Sequence, residues 1–247
     1  VVEIELVNYF IKGNIALTKV DEDYPDNKLS GAVFEVYSDT NGDGKLDKDD
    51  TLLGEMKELD GGVYQMSELR YGKYLVKETK APTGFVLDEN VYSVSVEENG
   101  KTYTVENKAG VGFINAAQKG SLKIVKTSSD GKVEGFSFRV TGVDYDQTFK
   151  TDKNGEIVIE GLRIGDYTVS EVSDKASAGY ILPADKQATV KVDATAIVQM
   201  HNEFRDTPKT GDDFNLGLWV SLAALSVVGA GVLGFVGYKN RKKKKED

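Results

Sequence analysis

The stretch GGVYQMSELRYGKYLVKE, residues 61–78, returns later in the chain as NGEIVIEGLRIGDYTVSE, residues 154–171. Six of the residues that agree, each displaced by 93 positions without a gap, define the repeat. They are Gly62, Leu69, Gly72, Tyr74, Val76 and Glu78, matched by Gly155, Leu162, Gly165, Tyr167, Val169 and Glu171. Apolar and polar residues alternate in both copies, which is typical of half-buried strands. The repeat therefore predicts two copies of one β-domain.

The rest of the chain before residue 206 has the same character. Further alternating segments are separated by turns rich in Gly, Asp and Asn, and the whole chain has only four prolines. We predict an all-β fold of tandem immunoglobulin-like β-sandwich domains, covering residues 13–117 and 118–205. Asn8 precedes Lys19 by eleven residues, as Asn115 precedes Lys126, so residues 1–12 are predicted to be the last strand of a preceding repeat.

Composition excludes several classes of protein. The chain of 247 residues has no cysteine and one histidine, which excludes disulfides, zinc-thiolate sites and thiol catalysis and argues against a histidine-based triad. Its net charge is -9, and an acidic surface repels phosphate backbones, so nucleic acid is not expected as a partner.

An uncharged segment lies near the end of the chain. Residues 216–238 contain no charged side chain and are followed by a run of Lys and Arg. A helix of this length would extend about 35 Å, enough to cross a bilayer, and the basic run would stay on the cytoplasmic side. We therefore predict a C-terminal transmembrane helix, with the preceding domains outside the cell.

Three polar residues occupy inward-facing positions of predicted strands. Lys19 continues the apolar face of Ile15 and Leu17 on the first strand of its domain. A glutamate on a middle strand and an asparagine on the last strand continue apolar faces in the same way. The two sets are Lys19, Glu78 and Asn115 in the first domain and Lys126, Glu171 and Asn202 in the second.

Burial favours the uncharged forms of such a lysine and glutamate. A neutral amine is a nucleophile, and a protonated glutamate can polarise the asparagine carboxamide and pass on the proton that ammonia needs to leave. The expected product is an intramolecular Lys–Asn isopeptide bond in each domain. Asn107 is an alternative partner for Lys19, although Asn115 keeps the spacing seen in the other repeat.

Residues 39–50, DTNGDGKLDKDD, have the spacing of a calcium-binding loop. Oxygen-bearing side chains fall at loop positions 1, 3, 5, 9 and 12, a glycine falls at position 6, and position 7 offers its carbonyl. The expected ligands are Asp39, Asn41, Asp43, Lys45 through its carbonyl, Asp47 and Asp50. We expect calcium to stiffen a loop of the first domain.

The segments LTK, IVK, YLVKETKAPTGF, FIN and MHN resemble the collagen-adhesin B-type, prealbumin-like repeats of Gram-positive surface proteins, including pilin domains of the SpaA type. The resemblance covers residues 1–205. It implies a prealbumin-like sandwich in which the lysine, glutamate and asparagine form the isopeptide bond autocatalytically.

The segment DTPKTGDD, residues 206–213, resembles a sortase sorting signal, which is followed by an apolar span and a basic tail as it is here. The resemblance implies that a sortase attacks the carbonyl of Thr210 and releases the chain from Gly211 onward. The acceptor would be an amine of peptidoglycan or of a pilin lysine, and the chain would be held in the membrane before sorting.

We therefore expect a cell-wall-anchored extracellular stalk, either an adhesin or a pilin subunit, with no enzymatic activity beyond single-turnover crosslinking of itself. No pilin lysine motif of the VYPK type is present, which favours an adhesin or a minor pilin. In an alternative interpretation the stalk anchors a surface enzyme whose catalytic domain precedes residue 1. The repeats could also bind a host extracellular protein themselves.

Overall fold

The structure is a computed structural model, and it describes residues 8–205. Within these residues it has only strands, turns and loops, arranged as two β-sandwiches in tandem. This confirms the predicted all-β fold. The predicted transmembrane helix lies outside the described residues, and within them no helix has the length and apolar character to span a bilayer.

The first sandwich contains nine strands. They are β1 (Lys12–Asp21), β2 (Val33–Ser38), β3 (Thr51–Glu55), β4 (Lys57–Asp60), β5 (Val63–Arg70), β6 (Gly72–Lys80), β7 (Val91–Val96), β8 (Thr102–Thr104) and β9 (Phe113–Asn115). One sheet has the order β4-β5-β1-β8, with β9 also paired to β1, and the facing sheet has the order β3-β2-β6-β7. Residues 8–11 precede β1 without regular secondary structure, and residues 1–7 of the predicted upstream strand lie outside the described residues.

The second sandwich contains eight strands. They are β10 (Lys119–Ser128), β11 (Ser137–Gly142), β12 (Tyr145–Lys150), β13 (Glu156–Arg163), β14 (Gly165–Val172), β15 (Tyr180–Ile181), β16 (Lys186–Val190) and β17 (Thr195–Phe204). Its sheets have the orders β13-β10-β17-β15 and β12-β11-β14-β16. Both sandwiches belong to one compact unit that ends at Phe204.

Each sandwich has an apolar core between its sheets, formed by the inward side chains of alternating strands. In the first core, Ile15, Leu17, Phe34, Val76 and Phe113 are almost completely buried. Leu122, Ile124, Phe138, Val169 and Met200 occupy the corresponding interior of the second. The alternation read from the sequence therefore corresponds to the inward faces of β1, β6, β10 and β14.

The first and last strands of each sandwich are parallel neighbours. β1 pairs with β9 so that Lys19 lies opposite Phe113 and Asp21 opposite Asn115. β10 pairs with β17 in the same register, with Lys126 opposite Met200 and Ser128 opposite Asn202. Because β6 and β14 belong to the facing sheets, each glutamate reaches across the core toward a lysine and an asparagine of the other sheet.

One of the glycines shared by the two repeats positions the lysine strand. Gly62 and Gly155 have φ values of 81° and 78°, in the left-handed region that glycine adopts most easily. A Cβ on Gly62 would lie 2.9 Å from the backbone nitrogen of Leu29, so the site also has no room for a side chain. The carbonyls of these glycines accept the backbone N–H of Lys19 at 2.7 Å and of Lys126 at 2.8 Å.

Candidate functional site

The first candidate site is the polar cluster of Lys19, Glu78 and Asn115 inside the first sandwich. The exposed fractions of the three residues are 0%, 0% and 3%, so all three are removed from water. The structure brings them together from β1, β6 and β9, as their positions on the inward faces imply.

Hydrogen bonds orient the three groups. Lys19 Nζ donates to the carbonyl oxygen of Phe113 at 2.9 Å. Asn115 Nδ2 donates to both carboxylate oxygens of Glu78, at 3.0 and 2.9 Å, and the backbone N–H of Asp88 donates to Glu78 Oε2 at 2.9 Å. Asn115 Oδ1 is buried and has no hydrogen-bond partner. A buried acceptor without a donor is energetically unfavourable.

Burial shifts the ionisation of the lysine and the glutamate toward their neutral forms. Desolvation lowers the pKa of Lys19 to about 8, although Glu78, Asp88 and Asp21 oppose the shift. Desolvation likewise raises the pKa of Glu78, against the hydrogen bonds from Asp88 and Asn115 and the charge of Lys19. At pH 7 about a tenth of Lys19 would carry a free amine, far more than for an exposed lysine.

One aromatic ring lies beside the amine. Lys19 Nζ lies 5.4 Å from the centroid of the Phe113 ring. Phe113 in turn makes edge contacts with Phe34 and Tyr92, at centroid distances of 4.9 and 5.1 Å. The amine thus lies next to an aromatic cluster of the core, and Lys19 as a whole is 0% exposed.

The second sandwich repeats the cluster with Lys126, Glu171 and Asn202. Lys126 and Asn202 are 1% and 0% exposed, and Glu171 is half-buried. Asn202 Nδ2 donates to Glu171 Oε1 at 2.6 Å, and Lys126 Nζ donates to the carbonyl of Thr127. Asn202 Oδ1 and Glu171 Oε2 are both buried without a partner.

The electrostatics of the second cluster follow the first. Desolvation lowers the pKa of Lys126, opposed by Glu171 and Asp130. Desolvation raises the pKa of Glu171, opposed by the Asn202 hydrogen bond and by Lys126. The Lys126 amine lies 4.2 Å from the centroid of the Phe136 ring and 6.0 Å from that of Tyr180. The two sandwiches thus present the same chemistry at equivalent places.

Asn107, the alternative partner for Lys19, is held by other groups. Its Nδ2 donates to Asp88 Oδ2 and to the carbonyl of Ile114, both at 2.8 Å, and its Oδ1 accepts the N–H of Ile114 at 2.6 Å. These bonds fasten the segment before β9 and leave Asn115 as the amide that meets Glu78.

Sequence reasoning missed Asp88. Besides its backbone bond to Glu78, its carboxylate accepts hydrogen bonds from Tyr92 Oη at 2.6 Å and from Asn107. It therefore connects β7, the glutamate and the approach to β9. The sequence gives no periodic indication of this role because Asp88 lies in a loop, ten residues after Glu78.

The predicted calcium loop joins β2 to β3. Asp39 is 7% exposed, and its two oxygens accept the backbone N–H groups of Gly42 and Gly44 at 2.8 and 3.1 Å. The side chains of Asn41, Asp43, Asp47 and Asp50 also accept backbone N–H groups of the loop. In residues 8–205 no group of three or more His, Cys, Asp or Glu side chains is placed to hold a metal ion. Several of these side chains therefore accept backbone N–H groups of their own loop. Lys45, the predicted carbonyl ligand, lies in the same loop.

Comparison with known proteins places the fold. The family model of the SpaA prealbumin-like fold domain matches residues 13–109 and 120–204. The TIE protein of Bacillus anthracis is similar in structure with a TM-score of 0.58 and 24% identity over 78% of this chain, which spans about a third (34%) of that protein. The minor pilin GBS52 of Streptococcus agalactiae matches with a TM-score of 0.36 and 17% identity, over 81% of this chain and 100% of the pilin.

A shaft pilin of Lactobacillus rhamnosus GG, SpaA, matches with a TM-score of 0.36 and 15% identity, over 78% of this chain and 98% of the pilin. No curated protein matches the sequence. The predicted sortase residues, Thr210 and Gly211, lie outside the described residues.

Proposed function

Because the chain belongs to the family of SpaA prealbumin-like fold domains, we propose that it is a stalk of a Gram-positive surface pilin or adhesin, stabilised by a Lys–Asn isopeptide bond in each sandwich. The observation that carries the proposal is the cluster of a buried lysine, a buried asparagine and a glutamate, present twice in the same register. Each cluster would react only once, so the chemistry would serve to crosslink the sandwich and would not turn over a substrate.

The reaction requires a neutral amine and a protonated carboxylic acid. A half-turn of the Asn115 carboxamide exchanges its oxygen and nitrogen, so that a protonated Glu78 donates to Oδ1 and makes Cγ more electrophilic. Lys19 Nζ then attacks Cγ and forms the new C–N bond. Glu78 carries the proton from the attacking nitrogen to the departing one, the old C–N bond breaks, and ammonia leaves. Glu78 ends as it began, so no oxidant or cofactor is consumed.

Two features of the cluster support this chemistry. Burial favours the neutral forms of both ionisable groups, which the reaction needs at the same time. The partnerless amide oxygens of Asn115 and Asn202 are the atoms that gain negative charge during attack, and the reaction would supply their missing donor.

Intact mass tests the proposal. We expect the full chain to weigh less than its sequence by two molecules of ammonia, and Lys19→Ala and Lys126→Ala each to restore one. A mass equal to that of the plain sequence in the wild type would refute the proposal. Fragmentation should place the branched peptides at Lys19–Asn115 and Lys126–Asn202, with Asn107 unmodified.

We further propose that the stalk is attached to the cell wall through the sorting signal. The support is the order of the PKTG segment, apolar span and basic tail after a domain of this family. Incubation of the full chain with a sortase and an amine-bearing peptide should join the peptide to Thr210 and release the segment from Gly211. Thr210→Ala should abolish the product, and an equal yield from this variant would contradict the assignment.

The loop at residues 39–50 is proposed to bind calcium. Its support is the chemistry of its donors, since Asp39, Asn41, Asp43, Asp47 and Asp50 offer oxygen at the spacing calcium favours and Lys45 offers a carbonyl. Binding would require the donor side chains, several of which accept backbone N–H groups of the loop, to converge on one point.

Calorimetric titration tests this site. Calcium should bind the wild type with one site per chain and should raise the unfolding temperature of the first sandwich, and Asp43→Ala should weaken both effects. Asp60→Ala, an exposed acid outside the loop, serves as the control and should behave as the wild type. Absence of calcium-dependent heat and of any thermal shift would rule out the site.

A further inference from the structure

An ion pair joins the second sandwich to the lysine strand of the first. Arg163, at the end of β13, donates from Nη1 to Asp21 Oδ2 at 2.6 Å and from Nη2 to Asp21 Oδ1 at 2.8 Å. Arg163 Nη2 also donates to Asp23 Oδ2 at 3.0 Å, and Lys119 Nζ lies 3.2 Å from the same oxygen. The side chains of Arg163 and Asp21 are only 14% and 3% exposed, so this two-pronged pair is largely shielded from solvent.

Asp21 belongs to the same neighbourhood as the first reactive cluster. It follows Lys19 by two residues on β1, so both side chains lie on the same face, and it stands opposite Asn115 in the ladder. Three acids act on the Lys19 amine: Glu78 from the facing sheet, Asp88 from the loop after β6, and Asp21 from its own strand. Asp21 itself faces Arg163 and accepts the backbone N–H of Asp23 at 2.9 Å.

The second sandwich differs at this position. Ser128 stands opposite Asn202 where the first sandwich has Asp21 opposite Asn115. The Ser128 hydroxyl lies within hydrogen-bonding distance of two acceptors, Asp130 Oδ1 at 2.8 Å and the carbonyl oxygen of Lys132 at 2.6 Å, and Asp130 is exposed to solvent. Only the first sandwich therefore has a buried acid, Asp21, at this position of the lysine strand, and it is this acid that Arg163 of the second sandwich contacts.

We propose that Arg163 is a positioning residue for the crosslink of the preceding domain. By pairing with Asp21, it prevents that carboxylate from holding Lys19 as an ammonium ion, so the Lys19–Asn115 bond forms fastest once the second sandwich has folded and docked. The inference rests on the proposed function, since it concerns the timing of that bond. The rate of crosslinking in the first sandwich would therefore depend on the folding of the second.

The physical reason is competition for one carboxylate. A buried acid beside an amine favours the charged amine unless another cation neutralises the acid. Without Arg163, the Asp21 charge would act fully on Lys19, and each rise of one in the lysine pKa lowers the share of the pair with a free amine about tenfold. We therefore expect the crosslink to form about threefold to tenfold more slowly when Arg163 is removed.

The test follows both bonds in the same molecules. The full chain is made by cell-free synthesis in mild detergent, samples are quenched in acid over time and at several pH values, and peptide mass spectrometry gives the crosslinked fraction of each domain. The variants are Arg163→Ala, Arg163→Lys, Asp21→Asn, the double variant Asp21→Asn with Arg163→Ala, and Arg70→Ala. Arg70 is the matched control because it stands at the same repeat position in the first sandwich, where its guanidinium lies 4.1 Å from the centroid of the Phe10 ring.

Support would consist of four results together. Arg163→Ala slows the Lys19–Asn115 bond and moves the alkaline limb of its pH profile upward, while the Lys126–Asn202 bond of the same molecules keeps its rate. Arg163→Lys recovers part of the rate, the double variant returns it to the wild-type value, and Arg70→Ala changes nothing.

Three results would overturn the inference. They are a wild-type rate in Arg163→Ala, equal slowing of both bonds, which indicates a general folding defect, and failure of the double variant to recover the rate. Absence of both bonds in the wild type would instead refute the proposed function, so the two failures can be told apart.

Discussion

Replacement of Lys19 by methionine isolates the contribution of the proposed bond in the first sandwich. Methionine keeps a long apolar side chain beside the Phe113 ring, so the packing loss should be at most about 1 kcal/mol. The thioether of methionine carries no charge and no N–H, so the substitution places no unpaired polar donor in the core. The main effect is then the loss of the covalent link between β1 and β9.

The size of that effect follows from the loop that the bond closes. The segment from Lys19 to Asn115 contains 97 residues counted inclusively. In the chain-entropy description of crosslinks, closing a loop of this length stabilises the folded state by about 4.7 kcal/mol. For a domain of this size, that corresponds to a decrease of about 20 °C or more in unfolding temperature.

Differential scanning calorimetry measures the change. Lys19→Met should lower the transition of the first sandwich by this amount, and Lys126→Met should lower that of the second similarly, because its loop of 77 residues gives about 4.5 kcal/mol. Lys57→Met, an exposed lysine on β4, is the control and should change the transition little. If Lys19→Met unfolds at the temperature of the control, the crosslink does not stabilise the sandwich as argued.

The remaining predictions concern the acid, the pH dependence and the turn. Glu78→Gln keeps a hydrogen-bonding side chain but has no acidic proton to transfer, so formation of the Lys19–Asn115 bond should be slower by about 10²-fold or more. Glu171→Gln should slow formation of the Lys126–Asn202 bond in the same way. Time-resolved mass analysis measures both rates. In the productive form the Lys19–Glu78 pair carries one proton, which resides on Glu78. The pair loses this proton above the lysine pKa of about 8, and it gains a second proton below the raised pKa of Glu78. A plot of crosslinking rate against pH should therefore be bell-shaped and decline above pH 8. A rate still rising above pH 9 would contradict this assignment. Gly62→Ala should destabilise the first sandwich by about 1–3 kcal/mol in urea unfolding, because its φ of 81° and the Leu29 backbone 2.9 Å from a new Cβ leave no unstrained position for a side chain; an unchanged midpoint would contradict this.

The part of the site that the sequence predicts is the part carried by strand periodicity. Lys19 and Glu78 are recognisable because each continues an apolar face with period two, and the repeat supplies an independent copy with Lys126 and Glu171. Burial of these residues follows from that periodicity, since a strand with one face in the core carries every second side chain inward.

The rest of the site depends on contacts between distant segments. Arg163 and Asp21 are 142 residues apart and meet because one sandwich docks on the next, which no local pattern encodes. Asp88 acts partly through its backbone N–H, which is independent of side-chain type. In the loop at residues 39–50 the sequence gives the positions of the oxygen donors, whereas the directions of Asp39 and Asp43 depend on competition with backbone N–H groups.

The parallel pairing of β1 with β9 means that a chain entering the sandwich along one strand leaves it in the same direction along the other. With Lys19 bonded to Asn115, tension applied at the two ends would pass along β1 to Lys19, across the new amide, and directly into the linker toward β10. The tension would bypass residues 20–114, which include the loop at residues 39–50 and the whole facing sheet. Insertions there could vary without weakening the tether.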